Sequence, residues 1–207
     1  AAGGQGPGIA ALHRQDPPPF PVPVLNGIEE KEQSILLDIR DLEYGHMLRA
    51  GKQVSPRGDD YTQYRDMSWY WYNQSEANKD LDLYFRVGSD TLNYYEVSYR
   101  FAESSAHTGW KSIKIDMAEL ANVKTQLPDP ETGVILSTIR DKTSGDDYRV
   151  RVVGRPYLRE VKRYFFGVVN DTIRPAVNGF IYLNDIKLEG VKRDVGLARR
   201  ASVNMNM

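Results

Sequence analysis

The stretch Gly179–Leu188 (GFIYLNDIKL) constrains the fold of this chain more than any other. Read as an extended segment, it puts Phe180, Tyr182, Ile186 and Leu188 on one side. Ile181, Leu183, Asp185 and Lys187 fall on the other, because successive side chains of a strand point to opposite faces. Both sides begin apolar and one turns polar at Asp185, which predicts a largely buried strand with a polar end. Gly190 is read as its break. Beyond Lys192-Arg193-Asp194, residues Ala201, Val203, Met205 and Met207 alternate with Ser202, Asn204 and Asn206. That second alternation fits a soluble edge strand, and it equally fits the start of a transmembrane barrel strand, apolar toward lipid and polar toward the lumen.

The same two-residue period recurs along the chain. Ser34–Arg40 carries Ile35, Leu37 and Ile39 in phase, with Leu36 as an extra apolar residue, and Asp41–Gly45 reads as a turn. His46–Asp60 reads as irregular. In Met67–Tyr72 (MSWYWY), Met67, Trp69 and Trp71 share one face and Ser68, Tyr70 and Tyr72 the other. Leu81–Val87 and Tyr95–Phe101 read as an antiparallel pair, each with one polar face. Trp110–Ile115 is another strand, and Asp116-x-x-Glu119 predicts a short helix, with Asp116 capping and Glu119 reaching back, ending near Lys124. Val134–Ile139 and Tyr148–Val153 follow as strands. Lys162–Val169 is apolar on both faces and so belongs inside a sheet. Short strands at regular spacing with one small helix predict an all-β fold, an antiparallel β-sandwich of the jelly-roll or galactose-binding-like class. Leu83, Phe85, Val97, Tyr99, Val150, Phe165 and Leu183 are the expected core, with Phe166 and Tyr182 replacing Phe165 and Leu183 if the opposite faces point inward.

Residues 1–28 form a Gly/Pro-rich arm, with Pro17-Pro18-Pro19, Pro21 and Pro23. Such a segment buries too little to pack a core, so Ala1–Pro23 is expected to lack regular structure. Residues 29–190 are read as the sandwich and 191–207 as the tail. A net charge of −1 over 207 residues gives no electrostatic case for a nucleic-acid partner. With no Cys there is no disulfide framework, thiolate metal site or cysteine nucleophile. Ala1–Ala11 lacks the basic start and apolar core of a signal peptide, and no apolar run is long enough for a membrane helix.

Three stretches, taken together and in this order, resemble one family: EQSILLDIRDLEYG (Glu32–Gly45), RVGSDTLNYYEVSYRF (Arg86–Phe101) and YLNDIKLEGVKRDVGLARRASVNMNM (Tyr182–Met207). They are similar to the SprA (Sov) family, the large outer-membrane translocons of the type IX secretion system. The resemblance runs from about Glu32 to Met207. It implies a β-sandwich insert whose chain then enters a barrel strand, within a longer exported protein of the bacterial outer membrane. The implied partners are the proteins of a secretion complex and exported cargo, and the implied membrane contact is through the parent barrel.

Catalytic signals are thin, and no catalytic residue and no bound cofactor are expected. His13, His46 and His107 stand without metal-ligand spacing. Asp59/Asp60 and Asp146/Asp147 read as turn residues rather than a glycosidase pair. Arg57-Gly58-Asp59 belongs to a charged loop. Arg149, Arg151, Arg155, Arg159, Lys162 and Arg163 form a basic run, read as a solvated sheet face. The candidate ligand residues are Tyr70 and Tyr72, a platform on which a carbohydrate would stack, with Trp69 and Trp71 packed inward. The candidate metal is a structural calcium. The last strand of many jelly-roll sandwiches supplies an aspartate to one, Asp185 matches that position, and Asp38 or Asp41 lies nearby if first and last strands pair. A free-standing carbohydrate-binding module is therefore the alternative to the translocon segment.

Overall fold

The computed structural model describes the backbone of residues 13–15 and residues 34–103, 107–173 and 175–192. In chain order the strands are β1 (His13–Gln15), β2 (Ser34–Leu42), β3 (His46–Gln53), β4 (Tyr64–Asn73), β5 (Asp82–Gly88), β6 (Tyr94–Arg100) and β7 (Gly109–Asp116). Helix α1 (Met117–Val123) comes next, then β8 (Ile135–Arg140), β9 (Asp147–Val153), β10 (Arg163–Asn170) and β11 (Val177–Val191). Two antiparallel sheets result, ordered β1-β2-β11-β4-β7 and β3-β10-β5-β6-β9-β8. The chain passes repeatedly from one sheet to the other, as an antiparallel sandwich requires.

The core lies between the sheets. From the first it takes Leu37, Ile39, Met67, Trp69, Trp71, Ile113, Ile115, Ile181 and Leu183. From the second it takes Leu83, Phe85, Val97, Tyr99, Val150, Phe166 and Val168. Trp69 stacks on Phe85 at 4.6 Å, and Trp71 meets Phe166 at 6.3 Å, so the aromatic strand does project its tryptophans inward. Six of the seven expected core residues are buried; the exception is Phe165, which lies on the outer face while Phe166 turns inward. The reason is local: Phe165 covers Gly51 on β3, where an added Cβ would stand 2.4 Å from its ring. β10 sits between β3 and β5, inside its sheet as predicted.

β11 corrects the opening reading. It runs on through Gly190, which takes φ +65° beside the Arg65 side chain, and ends at Val191. Its register against β4 shifts between Asn184 and Lys187, and Asp185 there takes φ 52°. This bulge inserts one residue and reverses the phase of everything after it. Ile181 and Leu183 face the core before the bulge, and Ile186 and Leu188 pack against it afterwards. A strict alternation would have put these two pairs on opposite faces.

Two further readings change. His46–Gln53 is a strand rather than irregular chain; only Leu48 and Ala50 turn inward, so its period is masked by polar neighbours. Within the arm, His13–Gln15 pairs with Ser34–Leu36, so the expectation of no regular structure fails there. Helix α1 begins as predicted, with the Asp116 carboxylate accepting the N–H groups of Ala118 (2.8 Å) and Glu119 (3.1 Å). Glu119 does not reach back: it pairs with Lys142 at 3.0 Å. The alternating tail lies outside the described residues.

Candidate functional site

Each sheet has an outer face, and both carry side chains of interest. On the first sheet the register aligns Leu36, Tyr182, Tyr72 and Trp110 across four strands. Tyr72 contacts Trp110 (5.1 Å between ring centres, 56° between planes) and Tyr182 (5.7 Å, 74°). Tyr70 lies on the same face of β4, two residues away, with the Lys187 ammonium 5.9 Å from its ring. The structure thus brings Tyr70 and Tyr72 together and adds Trp110 and Tyr182, which the sequence reading had not singled out. The rings meet at steep angles, so they form an apolar ridge rather than the flat surface on which a sugar ring stacks.

The candidate calcium ligands are not brought together. β2 and β11 do pair, but Asp38 faces Phe180, five residues before Asp185, a separation of roughly 17 Å along a strand. Asp38 holds Arg40 (2.5 Å), and Asp185 holds Lys187 (2.8 Å). Asp41 is fixed instead by Asn178, whose Oδ1 accepts its N–H at 2.9 Å. Among the described residues no cluster of three or more His, Cys, Asp or Glu is placed to hold a metal. The pairing of first and last strands was therefore right, and its register separates the aspartates.

Of the three histidines, His46 opens β3 and faces Glu43 (3.6 Å), and His107 faces Glu76 (3.5 Å). Asp60 caps a short turn of helix through Thr62 N–H (2.9 Å), Asp146 pairs with Lys111, and Asp147 pairs with Arg140 (3.0 Å).

The outer face of the second sheet is ionic. The Arg86 guanidinium lies 4.4 Å from the Tyr84 ring and 4.7 Å from the Tyr94 ring, and it donates to Glu96 at 2.5 Å. Four residues earlier on the same face of β5, Asp82 accepts from both Arg100 (2.7 Å) and Arg149 (2.5 Å), and Arg100 reaches Asp171 (3.0 Å). Arg149 and Arg151 of the basic run lie here, and a shallow cavity of 460 Å³ opens beside them, lined also by Ser98, Leu136 and Thr138. The acids of β5 and β6 belong to this network, and the pairing register that assembles it is what the sequence reading lacked. Burial pushes the Tyr84 phenol up to about 12.

Burial raises the Asp82 carboxyl, and the Arg100 and Arg149 guanidinia more than offset it, so the group sits below its ordinary value. A carboxyl lowered on folding adds stability that is present above its unfolded pKa and lost as the pH falls through the folded one. Asp171 is raised, first by burial and then by Asp82, so its contribution runs the other way and is relieved by acid. Asp82→Asn is expected to lower stability at neutral pH and to make the decline below about pH 4 shallower. Urea midpoints taken from neutral to acid pH check this, and an unchanged acid slope would show that the arginines leave Asp82 unperturbed.

No protein-family model matches the chain, and no curated protein matches it. Among solved structures it is similar to the β-fructofuranosidase from Schwanniomyces occidentalis complexed with fructosyl-erythritol, at 10% identity and a TM-score of 0.25. That match covers 80% of this chain and 38% of the enzyme's. A likeness this slight carries no argument about activity.

Proposed function

We propose that this chain is a non-catalytic β-sandwich segment of a SprA-like outer-membrane protein translocon, acting as a cap, gate or docking surface beside the barrel. The observation that carries the reading is the course of β11. This 15-residue strand pairs with β2 from Val177 to Leu183, and from Asn184 onward its pairing among the described residues is to β4. Beyond Leu188 it is still paired to β4, at Glu189 with Asp66 and at Val191 with Tyr64. Lys192 then donates its N–H to the Gln63 carbonyl (2.8 Å) and its ammonium to that of Thr62 (3.0 Å). The last described residues are thus still held to β4 and the turn before it, in the stretch that resembles the family's approach to its barrel.

The start of β2 lies on the same side: Ile35 stands opposite Leu183 and β2 runs antiparallel to β11, so the start of β2 and the end of β11 lie toward the same end of the first sheet. That arrangement suits an insert, which must leave its host's chain where it enters. No helix among the described residues is long and apolar enough to cross a membrane, which says nothing of strands.

Membrane fractionation of cells making the protein from its natural reading frame tests the reading. An antibody raised against the sandwich should find it in the outer-membrane fraction, resistant to carbonate or urea washes. Recovery in the soluble fraction would overturn the proposal. The second reading, a carbohydrate-binding module, rests on the shared face of Tyr70, Tyr72, Trp110 and Tyr182, which offers ring edges rather than one flat stacking surface. It predicts retardation in polysaccharide-containing gels, abolished by Tyr72→Ala.

A further inference from the structure

Strand β8 ends its sheet, and among the described residues no strand pairs with its outer edge. Natural edge strands discourage pairing with other chains by carrying Lys, Pro or a bulge. Ile135–Ile139 (ILSTI) contains no charge and no Pro, and its register against β9 is uninterrupted from Ile135 to Arg140. Two other edges are treated differently. At β7 the Lys114 N–H is taken by the Asp141 carboxylate (3.1 Å), and β2 is covered along Ser34–Leu36 by β1.

The hydrogen-bond phase of β8 follows from its turn. Asp141 donates its N–H to the Asp146 carbonyl at 2.8 Å, and Arg140 stands opposite Asp147. In an antiparallel pair, bonded and non-bonded positions alternate. Ile139, Ser137 and Ile135 therefore bond to β9, while Leu136, Thr138 and Arg140 point their N–H and C=O groups away from it. Among the described residues nothing accepts or donates to those outward groups.

A groove of 620 Å³ lies along this edge. Helix α1 and the residues after it form one wall through Glu119, Asn122 and Gln126, with the Gln126 amide donating to the Ser137 hydroxyl at 3.0 Å. On the outer face beside the edge stand Leu136, 71% exposed, and then Arg151 directly across from it. Glu96, the acid opposite Arg151 on its other side, is committed to Arg86. Arg151 has no ion pair among the described residues.

We propose that the β8 edge is a strand-acceptor site for an extended peptide segment of a partner protein. The partner's face shared with Leu136 and Thr138 would alternate apolar and acidic side chains. The outward N–H and C=O row selects extended backbone, and side-chain neighbours on alternate positions add specificity. Leu136 offers the apolar contact. Arg151 lies two strand spacings, roughly 10 Å, from the added strand. An acidic side chain reaching inward and the arginine reaching outward span that distance together and give a charge-assisted pair.

The test uses the 207-residue chain, isotopically labelled for NMR, and a synthetic peptide alternating threonine with valine and glutamate. The control is the same peptide N-methylated at alternate backbone nitrogens. The unmodified peptide should shift the amides of Leu136, Thr138 and Arg140 and slow their hydrogen exchange, and the methylated peptide should bind at least about tenfold more weakly. Thr138→Pro deletes an outward N–H that the β8–β9 ladder does not use, so it should weaken binding similarly without moving the thermal midpoint. If that variant fails to fold, Leu136→Glu, which removes the apolar contact and repels the peptide's glutamates, should still lose binding. Absence of shifts, shifts centred on Tyr72, equal binding of the methylated peptide, or a free chain whose β8 edge is already protected by a second copy would each overturn the proposal.

Discussion

Trp69→Ala is expected to destabilise the sandwich by about 3–5 kcal/mol, the range for deleting a fully buried large aromatic. The side chain is 1% exposed and belongs to β4, inside the first sheet. Its ring stacks on Phe85 of the opposite sheet at 4.6 Å and 23°, and Phe85 in turn stacks on Tyr164 at 5.7 Å. The three rings form a column through the core, and its removal leaves a cavity that two rigid sheets close only in part. The Trp69 indole N–H is buried with no hydrogen-bond partner among the described residues, so its contribution there is packing. Trp69→Phe, which keeps most of the ring and removes the orphan donor, should therefore cost less than about 1.5 kcal/mol. Denaturant midpoints for both variants check this. A loss below about 1 kcal/mol for Trp69→Ala would show that the sheets do not meet through this column.

The second large effect belongs to Asp141, a carboxylate that is 3% exposed in the turn between β8 and β9. One oxygen accepts the N–H groups of Thr143 (2.7 Å) and Ser144 (3.1 Å). The other accepts the Lys114 N–H of β7 (3.1 Å) and the Tyr148 hydroxyl (3.2 Å). A single side chain thus shapes a turn of the second sheet and fastens it to the edge of the first. Asp141→Ala takes the acceptor from the buried Tyr148 hydroxyl and the half-buried Lys114 N–H, each worth about 1–3 kcal/mol, and from the N–H groups of Thr143 and Ser144, which are exposed and open to water. The expected loss is about 3 kcal/mol or more, with Asp141→Asn losing less because it keeps one acceptor oxygen. Denaturation curves measure both, and hydrogen exchange should show the Lys114 amide losing protection in each.

The strands with a clean two-residue period were legible from the residues, as were their inward tryptophans and the capped helix at Asp116, because alternation and capping are local properties. Register is not local. The sequence showed Asp38 and Asp185 on first and last strands that do pair, but the offset that puts Asp38 opposite Phe180 depends on the whole sheet. The bulge at Asp185 was hidden for the same reason. An extra residue is visible only as a break in phase between Leu183 and Ile186, and apolar residues on both sides of the strand obscure that break. β3 was missed because an outer strand with two inward residues, Leu48 and Ala50, resembles a charged loop. Phe165 and Phe166 are chemically equivalent choices; the glycine beneath Phe165, Gly51, lies on a strand the period did not reveal. The ionic network of Arg86, Glu96, Asp82, Arg100 and Arg149 was present as alternate charges on three polar strand faces, and only the pairing of β5, β6 and β9 joins them.

The central claim is that the sandwich is a working part of a secretion translocon, and replacing residues 34–191 by a short flexible linker in the natural reading frame tests it most directly. The quantity to measure is the amount of secreted protein in the medium, with the outer-membrane level of the parent protein followed by immunoblot. The account predicts that the parent still reaches the outer membrane while secretion falls sharply. Unchanged secretion with the parent in place, or a parent that never associates with the outer membrane even when intact, would contradict it.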